Sequence, residues 1–242
     1  MPKETFYIDG IDASTYGIIL QRPISFSDPV PIVVSHNVPG RNGNLIYETG
    51  AFKNRIGKAS CFCLGDDVEM QIRAVNNFLF SSRGYRRLET SDDPYHFWLA
   101  RVSSGAMLEQ RLRKLAPFEI TFDCKPQRFL KSGEVVVNSW RSSEEENYIY
   151  NPTGFDAKPT IKAYGPLEGG LIRIGDYKVY VSEECTNSPI VLDCDSQNAY
   201  GAHTNLNKYI NAPEFPILVP GRNEINVEGF STLEIIPRWW EL

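Results

Sequence analysis

Cysteine and histidine are the residue types in this sequence that could bind a metal ion or act as a nucleophile. Cys61 and Cys63 are two positions apart, so in a strand both thiols would lie on one face and could begin a tetrahedral metal site. Such a site needs further thiol or imidazole ligands, and the sequence places none nearby, which favours two buried core cysteines. Cys194 and His203 could act as nucleophile and base, but they belong to no recognisable catalytic signature. We therefore predict no metal-binding residue and no catalytic residue.

Carboxylate pairs and the remaining histidines indicate no reaction either. Asp92–Asp93 and the pair Asp193 and Asp195 could bind a cation, but no spacing of the EF-hand type surrounds them, and turns are the simpler interpretation. His36 and His96 lie in extended apolar segments, where a structural imidazole is more common than a proton shuttle. The motifs GxGxxG, GxxxxGKS/T, HExxH and GxSxG are absent. The sequence thus predicts no enzymatic activity and no cofactor.

Tryptophan is the residue type that would suit a saccharide. Trp140, Trp239 and Trp240 could stack on the apolar face of a pyranose ring, although aromatic residues in β-proteins usually lie in the core. Trp239 and Trp240 are adjacent, so in a strand they would point to opposite faces, one buried and one more exposed. Both are candidate exposed aromatic residues.

The composition favours a globular, β-rich protein. The chain has 242 residues, of which 42% are hydrophobic and 12% aromatic, and its 16 Pro and 18 Gly indicate many turns. Up to residue 140 there are 17 Lys and Arg against 15 Asp and Glu, and from residue 141 there are 8 against 15. An acidic second half disfavours direct recognition of nucleic acid.

The cysteine count and the apolar runs bear on where the chain folds. Five cysteines, an odd number spread over both halves, indicate reduced thiols rather than a disulfide framework. The first residues show no signal-peptide pattern, and no apolar run approaches the roughly 18 residues that span a bilayer. We expect synthesis in a cytoplasm and no membrane anchor.

The pattern of the first half of the chain predicts a β-domain with one helix. Asp66–Glu69 resembles a capping box, and an apolar face at helical spacing follows it, which predicts a helix over about residues 66–82. Pro39, Gly40, Arg41, Asn42 and Gly43 include Pro-Gly and Asn-Gly steps, which predict the turn of a hairpin or a protruding loop. The alternating residues 118–124 predict a half-buried strand.

The pattern of the second half predicts a small β-sandwich. Residues 171–174 and 177–181 flank Gly175–Asp176, which predicts a two-residue hairpin. Residues 223–227 and 232–236 predict a second hairpin around Gly229. A polar, turn-rich stretch precedes these strands, so we place the domain boundary between about residues 128 and 142 and predict domains at 1–135 and 136–242.

The order of short motifs along nearly the whole chain resembles one family. The motifs, in chain order, are Phe6-Tyr7-Ile8-Asp9-Gly10, Val38-Pro39-Gly40-Arg41-Asn42-Gly43, Leu88-Glu89-Thr90-Ser91-Asp92-Asp93-Pro94-Tyr95, Phe122-Asp123-Cys124-Lys125-Pro126, Asn151-Pro152-Thr153-Gly154, Ile190-Val191-Leu192-Asp193-Cys194 and Pro220-Gly221-Arg222-Asn223. Each motif is short and turn-like, but their shared order and spacing is specific. The sequence resembles the distal tail protein family of siphophages, the phages with long non-contractile tails.

The resemblance implies a mainly β protein with a defined place in the virion. By it, residues 1–135 would be a split β-barrel-like domain with one helix that forms a hexameric ring, and residues 136–242 a galectin-like β-sandwich. The ring would be a tail-tip or baseplate hub, assembled in the host cytoplasm, that joins the tail tube to the host-adsorption apparatus.

The partners implied by the resemblance are further copies of the chain, including stacked rings, the tail tube protein, a tail-associated protein and a receptor-binding protein. DNA would only pass through the ring channel. Residues 39–43 would help to shape the ring domain or its interface, the other interpretation being an ordinary hairpin turn. The alternative function is a carbohydrate-binding module that recognises a host cell-surface saccharide.

Overall fold

A computed structural model describes residues 4–64, 67–105, 115–137, 139–140, 147–165, 169–202 and 204–242. The chain divides into two compact units, Met1–Arg128 together with Leu242, and Phe129–Glu241. Each unit has its own cluster of buried apolar side chains. The units are therefore described one at a time.

The first unit is an antiparallel β-structure with one α-helix in its described part. Its strands are β1 (Phe6–Ile8), β2 (Ile11–Asp12), β3 (Ile19–Leu20), β4 (Ser25–Phe26), β5 (Pro31–His36), β6 (Leu45–Phe52), β7 (Arg55–Leu64), β8 (Arg86–Thr90), β9 (His96–Ser104) and β10 (Leu115–Leu130), the last two residues of which belong to the second unit. The main sheet has the order β2-β1-β8-β9-β10-β7-β3, and β4 also pairs with β7.

Alternation along the two longest strands builds the core of this unit. In β10 the residues Ile120, Phe122 and Cys124 are buried while their neighbours are not, as expected of a strand with one face on the core. Strand β7 runs antiparallel to β10, and its Ala59 and Cys61 face Ile120 and Phe118 across the ladder. The predicted half-buried strand at 118–124 is thus confirmed as part of a longer one.

Helix α1 (Val68–Leu79) covers one side of the core through Ile72, Val75, Phe78 and Leu79. The helix begins at Asp67, whose carboxylate accepts a hydrogen bond from Met70 N at 2.9 Å. The predicted capping box is wrong, because the N-cap is Asp67 and Glu69 is then the second and not the third residue of the helix. Asp66, the first residue of the predicted box, lies outside the described residues. Glu69, which was to close it, forms an i,i+4 ion pair with Arg73 instead. None of the helices described is long and apolar enough to cross a membrane.

Strands β5 and β6 form a separate two-stranded sheet, which we call the arm (residues 31–52). All of its residues are exposed except Phe52, which is half-buried. The arm starts from a hydrogen bond between Lys53 N and Val30 O of 2.8 Å. Its strands pair with each other and with no other strand of the described chain.

The second unit consists of two antiparallel five-stranded sheets. Ten strands of the described chain form these sheets: β11 (Ser139–Trp140), β12 (Asn147–Asn151), β13 (Thr160–Tyr164), β14 (Gly170–Ile174), β15 (Tyr177–Val181), β16 (Ile190–Asp193), β17 (Asn198–Tyr200), β18 (Ile210–Asn211), β19 (Gly221–Glu228) and β20 (Thr232–Ile236). A short further strand, β21 (Trp240–Glu241), belongs to neither of the two sheets. One sheet has the order β11-β20-β13-β16-β17 and the other β12-β19-β14-β15-β18. Inward residues of both sheets, among them Ile161, Leu192, Ile172 and Ile225, share one core. This arrangement is a β-sandwich, in agreement with the predicted mainly β class.

Two predicted hairpins of this unit have different outcomes. The hairpin at Gly175–Asp176 is confirmed, since Ile174 lies opposite Tyr177 in the β14–β15 pair. The hairpin around Gly229 is wrong, because β19 and β20 belong to different sheets. Gly229 has a φ of +78°, and Phe230 after it is buried in the core, so the chain turns a corner from one sheet to the other.

Candidate functional site

The cysteines of the first unit lie in its apolar core. Cys61, Cys63 and Cys124 are all buried and in free thiol form. Burial raises the pKa of Cys61 to about 12, with a smaller contribution from Cys63, and burial likewise raises the pKa of Cys124 to about 12. These thiols are therefore neutral at pH 7. Among the described residues no group of three or more His, Cys, Asp and Glu could hold a metal ion.

The candidate nucleophile Cys194 is buried in the second unit. Only 3% of the residue is exposed, and burial, followed by the charge of Asp193, raises the pKa of its thiol to about 12. A nucleophilic cysteine needs an accessible thiolate, which this environment disfavours. His203, the other member of the predicted pair, lies outside the described residues.

We expect native protein at pH 8 to react with a small thiol reagent such as DTNB only slowly, because all five cysteines are buried. Five thiols per chain should titrate at once in guanidinium chloride. The absorbance of the released thiolate measures both rates. Rapid native labelling that maps to Cys194 would contradict the assignment of this residue to the core.

Carboxylates of the predicted pairs stabilise turns and bind basic side chains of the same chain. Asp193 accepts a hydrogen bond from Arg238 Nη1 at 2.7 Å and another from the backbone N of Asp195 at 3.1 Å. Burial alone would raise the pKa of Asp193, but the bond from Arg238 and its positive charge outweigh burial, and the pKa is lowered. Asp93 binds His96 Nδ1 at 2.7 Å, which agrees with a structural role for this imidazole.

The two adjacent tryptophans differ in exposure, as predicted, and Trp239 is the buried one. Trp239 is 4% exposed and belongs to the core of the second unit, so its prediction as an exposed aromatic is wrong. The reason is close packing against the short 3-10 helix Lys131–Glu134, where a Cβ on Gly133 would lie 2.4 Å from Trp239 N. Trp240 is half-buried, stacks on Phe155 at 4.4 Å between ring centroids and donates Nε1–H to Asp156 O at 2.8 Å. The side chain of Trp140 lies outside the described part of the chain.

The most unusual surface of the first unit is the apolar side of the arm. Register places Val34 opposite Tyr47 and His36 opposite Leu45, so these side chains share one face. Tyr47 is 67% exposed, and Val34 and Leu45 are also exposed. On the other face Ile46, 61% exposed, lies opposite Ser35. A soluble chain rarely exposes so many large apolar side chains together, so such a patch indicates an interaction surface.

The predicted turn residues form the tip of the arm. Arg41 N donates to Val38 O at 3.1 Å, and Gly40 has a φ of +80°, which is the geometry of a type II turn with Pro39 and Gly40 as its central residues. The turn predicted from the sequence is thus confirmed. It did not reveal that both strands beyond the turn would be exposed, although the consecutive Val33–Val34 and Leu45–Ile46 place apolar residues on both faces.

Residues 11–124, nearly the whole first unit, match the family model described as the phage tail protein RIFT-related domain. Nearly the whole first unit, a little under half of the chain, is thus similar to a phage tail domain. This match and the fold agree with the predicted resemblance to siphophage distal tail proteins and with the predicted class of a structural protein of the phage tail. No curated protein matches the sequence.

Two solved structures share the fold over both units of this chain. The Dit (gp 19.1) protein of SPP1, described as a paradigm of the hub adsorption apparatus in phages that infect Gram-positive bacteria, is 15% identical, with a TM-score of 0.72 over 96% of this chain and 97% of that chain. A chain of the phage p2 baseplate in its activated conformation is 12% identical, with a TM-score of 0.54 over 96% of each chain.

Proposed function

We propose that this chain is the ring-forming hub subunit of a phage tail tip, and that six copies join through the arm. The observation that supports the ring is the arm itself: a two-stranded sheet whose apolar side chains are exposed in the single chain. The family match to a tail domain and the fold shared with a hub protein support the location.

The physics of a lone hairpin favours a contact with another copy. An isolated two-stranded sheet is at best marginally stable in water, and exposed strand edges invite pairing. Burying Val34, Tyr47 and Leu45, which share one face of the arm, against a neighbour would contribute about 1.5–3 kcal/mol for each side chain. A ring repeats this contact at every subunit.

A closed ring gives the arm a defined kind of partner. In cyclic assemblies one surface of a subunit meets a different surface of the next, so the arm would bind a surface other than another arm. The arm tip at residues 39–43 would lie within this contact.

The ring would join the tail tube to a tail-associated protein and a receptor-binding protein, with DNA passing through its channel. As a virion component it would be assembled in the host cytoplasm. We propose no catalytic activity, and the burial of Cys194 and the use of Asp193 by Arg238 support this.

The test is the mass of the chain in solution, measured by light scattering after size exclusion over a concentration series, with negative-stain images. We expect wild type to form rings of six or, when stacked, twelve subunits. The double variant Val34→Thr with Tyr47→Thr keeps strand propensity but removes apolar area, and should raise the dissociation constant of the ring about a hundredfold or more.

Tyr95→Thr is the matched control, because Tyr95 is 75% exposed but lies outside the arm. It should form rings as wild type does. Wild type that stays monomeric at every concentration, even with neighbouring tail proteins added, would refute the hub. Rings of unchanged stability in the double variant would refute the arm as the contact.

A further inference from the structure

The second unit has an exposed sheet face with tyrosines at its two ends. We call it the tyrosine face: the outward side of the sheet β12-β19-β14-β15-β18. Tyr148 and Tyr150 alternate with the buried Ile149 on the terminal strand β12, and Tyr180 lies on β15 three strands away. Tyr148 is 49%, Tyr150 63% and Tyr180 45% exposed.

Polar side chains lie directly beside these rings. The register places Tyr150 opposite Arg222 and Tyr148 opposite Glu224. The guanidinium of Arg222 lies over one face of the Tyr148 ring, 4.6 Å from the ring centroid, a cation–π contact that fixes a planar donor beside the exposed ring of Tyr150. A ligand on Tyr148 or Tyr150 would therefore meet a stacking surface, a donor and a carboxylate acceptor within one residue spacing.

The centre of the face continues this pattern. Arg173 lies opposite Asn226 on one side and Lys178 on the other, and all three are exposed. Tyr180 follows two residues beyond Lys178 on the same side of the strand. From β12 to β15 the face spans three strand spacings, on the order of 14 Å, which suits a ligand of several units rather than a single small molecule.

The chemistry of the face favours a saccharide over a protein. Lysine and glutamate are depleted at protein–protein interfaces, whereas here Lys178, Glu224 and Glu228 lie on the same exposed face as the tyrosines. A sugar ring offers the complementary groups, since its C–H face stacks on an aromatic ring and its hydroxyls bind amide, guanidinium and carboxylate groups.

The charge of the face identifies the class of saccharide. Arg173, Lys178 and Arg222 are offset by Glu224 and Glu228, which lie on the same side of the sheet. A polyanion would meet the two carboxylates, so the balance fits an uncharged chain. We propose that the tyrosine face binds a neutral oligosaccharide, with Tyr148 and Tyr150 stacking on one sugar ring, Tyr180 on another, and Arg222, Glu224 and Arg173 binding hydroxyls.

The experiment uses the full chain on an array of neutral di- to hexasaccharides, followed by calorimetric titration with the strongest binder. We expect saturable binding by wild type that weakens on the order of tenfold for Tyr150→Ala and for Tyr148→Ala. Tyr150→Phe keeps the ring and should retain most of the affinity. Tyr200→Ala removes an exposed tyrosine from the other sheet and should change nothing.

Melting temperature and ring formation show whether each variant is folded, and the arm variant Val34→Thr with Tyr47→Thr separates this site from the hub. We expect that variant to bind saccharide as wild type does, per chain. No binding of wild type to any saccharide, or binding that survives the loss of both Tyr148 and Tyr150, would overturn the proposal. If those substitutions instead abolish binding of a purified tail protein, while no saccharide binds, the face is a protein contact and the proposal is equally wrong.

Discussion

Phe122→Ala is expected to lower the free energy of unfolding of the first unit by about 3–5 kcal/mol, the usual cost of deleting a buried phenyl ring. Phe122 is 1% exposed, in the middle of β10. Its ring meets that of Phe6 edge-on, with centroids 5.7 Å apart, so the substitution removes an aromatic pair as well as apolar area. Phe6 lies on β1, three strands from β10 in the sheet, and the cavity would therefore separate parts of the chain that are far apart in sequence.

Guanidinium unfolding followed by tryptophan fluorescence and far-UV circular dichroism measures this loss. The transition that contains Trp98, a buried residue of the first unit, should move to lower denaturant, while the transition of the second unit stays in place. Tyr95→Ala, at an exposed aromatic residue of the same unit, should cost less than about 0.5 kcal/mol. A loss below 1 kcal/mol for Phe122→Ala would show that this core is not packed as described.

Asn151→Ala is expected to destabilise the second unit by about 3 kcal/mol, because it removes four hydrogen bonds made by one buried side chain. Asn151 is 1% exposed, and its amide group donates to Phe155 O and Leu218 O, both at 2.9 Å. Its oxygen accepts from Thr153 N at 2.9 Å and from Thr153 Oγ1 at 2.8 Å. One side chain thus holds the turn after β12 and ties it to residue 218.

Asn151→Asp separates the two halves of this network. The carboxylate keeps the acceptor for Thr153 but has no hydrogen to donate to the two carbonyl oxygens, so at pH 7 we expect a loss at least as large as for Ala. Asn211→Ala, at an exposed asparagine of the same unit, is the control and should cost less than about 0.5 kcal/mol. Thermal unfolding by calorimetry compares the three variants, and equal melting temperatures for Asn151→Ala and Asn211→Ala would disprove the role of this network.

Local patterns predicted those elements whose partners are close in sequence. The apolar spacing of Ile72, Val75 and Leu79 defined the helix, and the Gly175–Asp176 step defined a hairpin, because both depend on backbone preferences within a few residues. The corner at Gly229 has the same local pattern as a hairpin. The difference between a corner and a hairpin comes from Phe230, whose side chain packs into the core formed by both sheets. This core depends on strands that are distant in sequence.

The candidate surfaces were harder to predict than the fold. A strand that will be covered by another copy has the same sequence pattern as one buried in its own core, so the apolar residues of the arm gave no sign of their exposure. Trp239 is an apolar residue that was a candidate for exposure and is buried. Alternation on a strand indicates that one of two adjacent residues is buried, but not which one. The tyrosine face depends on the pairing of β12 with β19, which no local pattern shows.

The isolation of the arm has a consequence for how the chain can open. Since β5 and β6 pair only with each other in the described structure, melting the arm breaks no strand pairing of the main sheet. Its backbone amides should therefore exchange with solvent deuterium through a local opening whose free energy is far below that of global unfolding. An element with this independence can accumulate changes of length and sequence while both cores stay as they are.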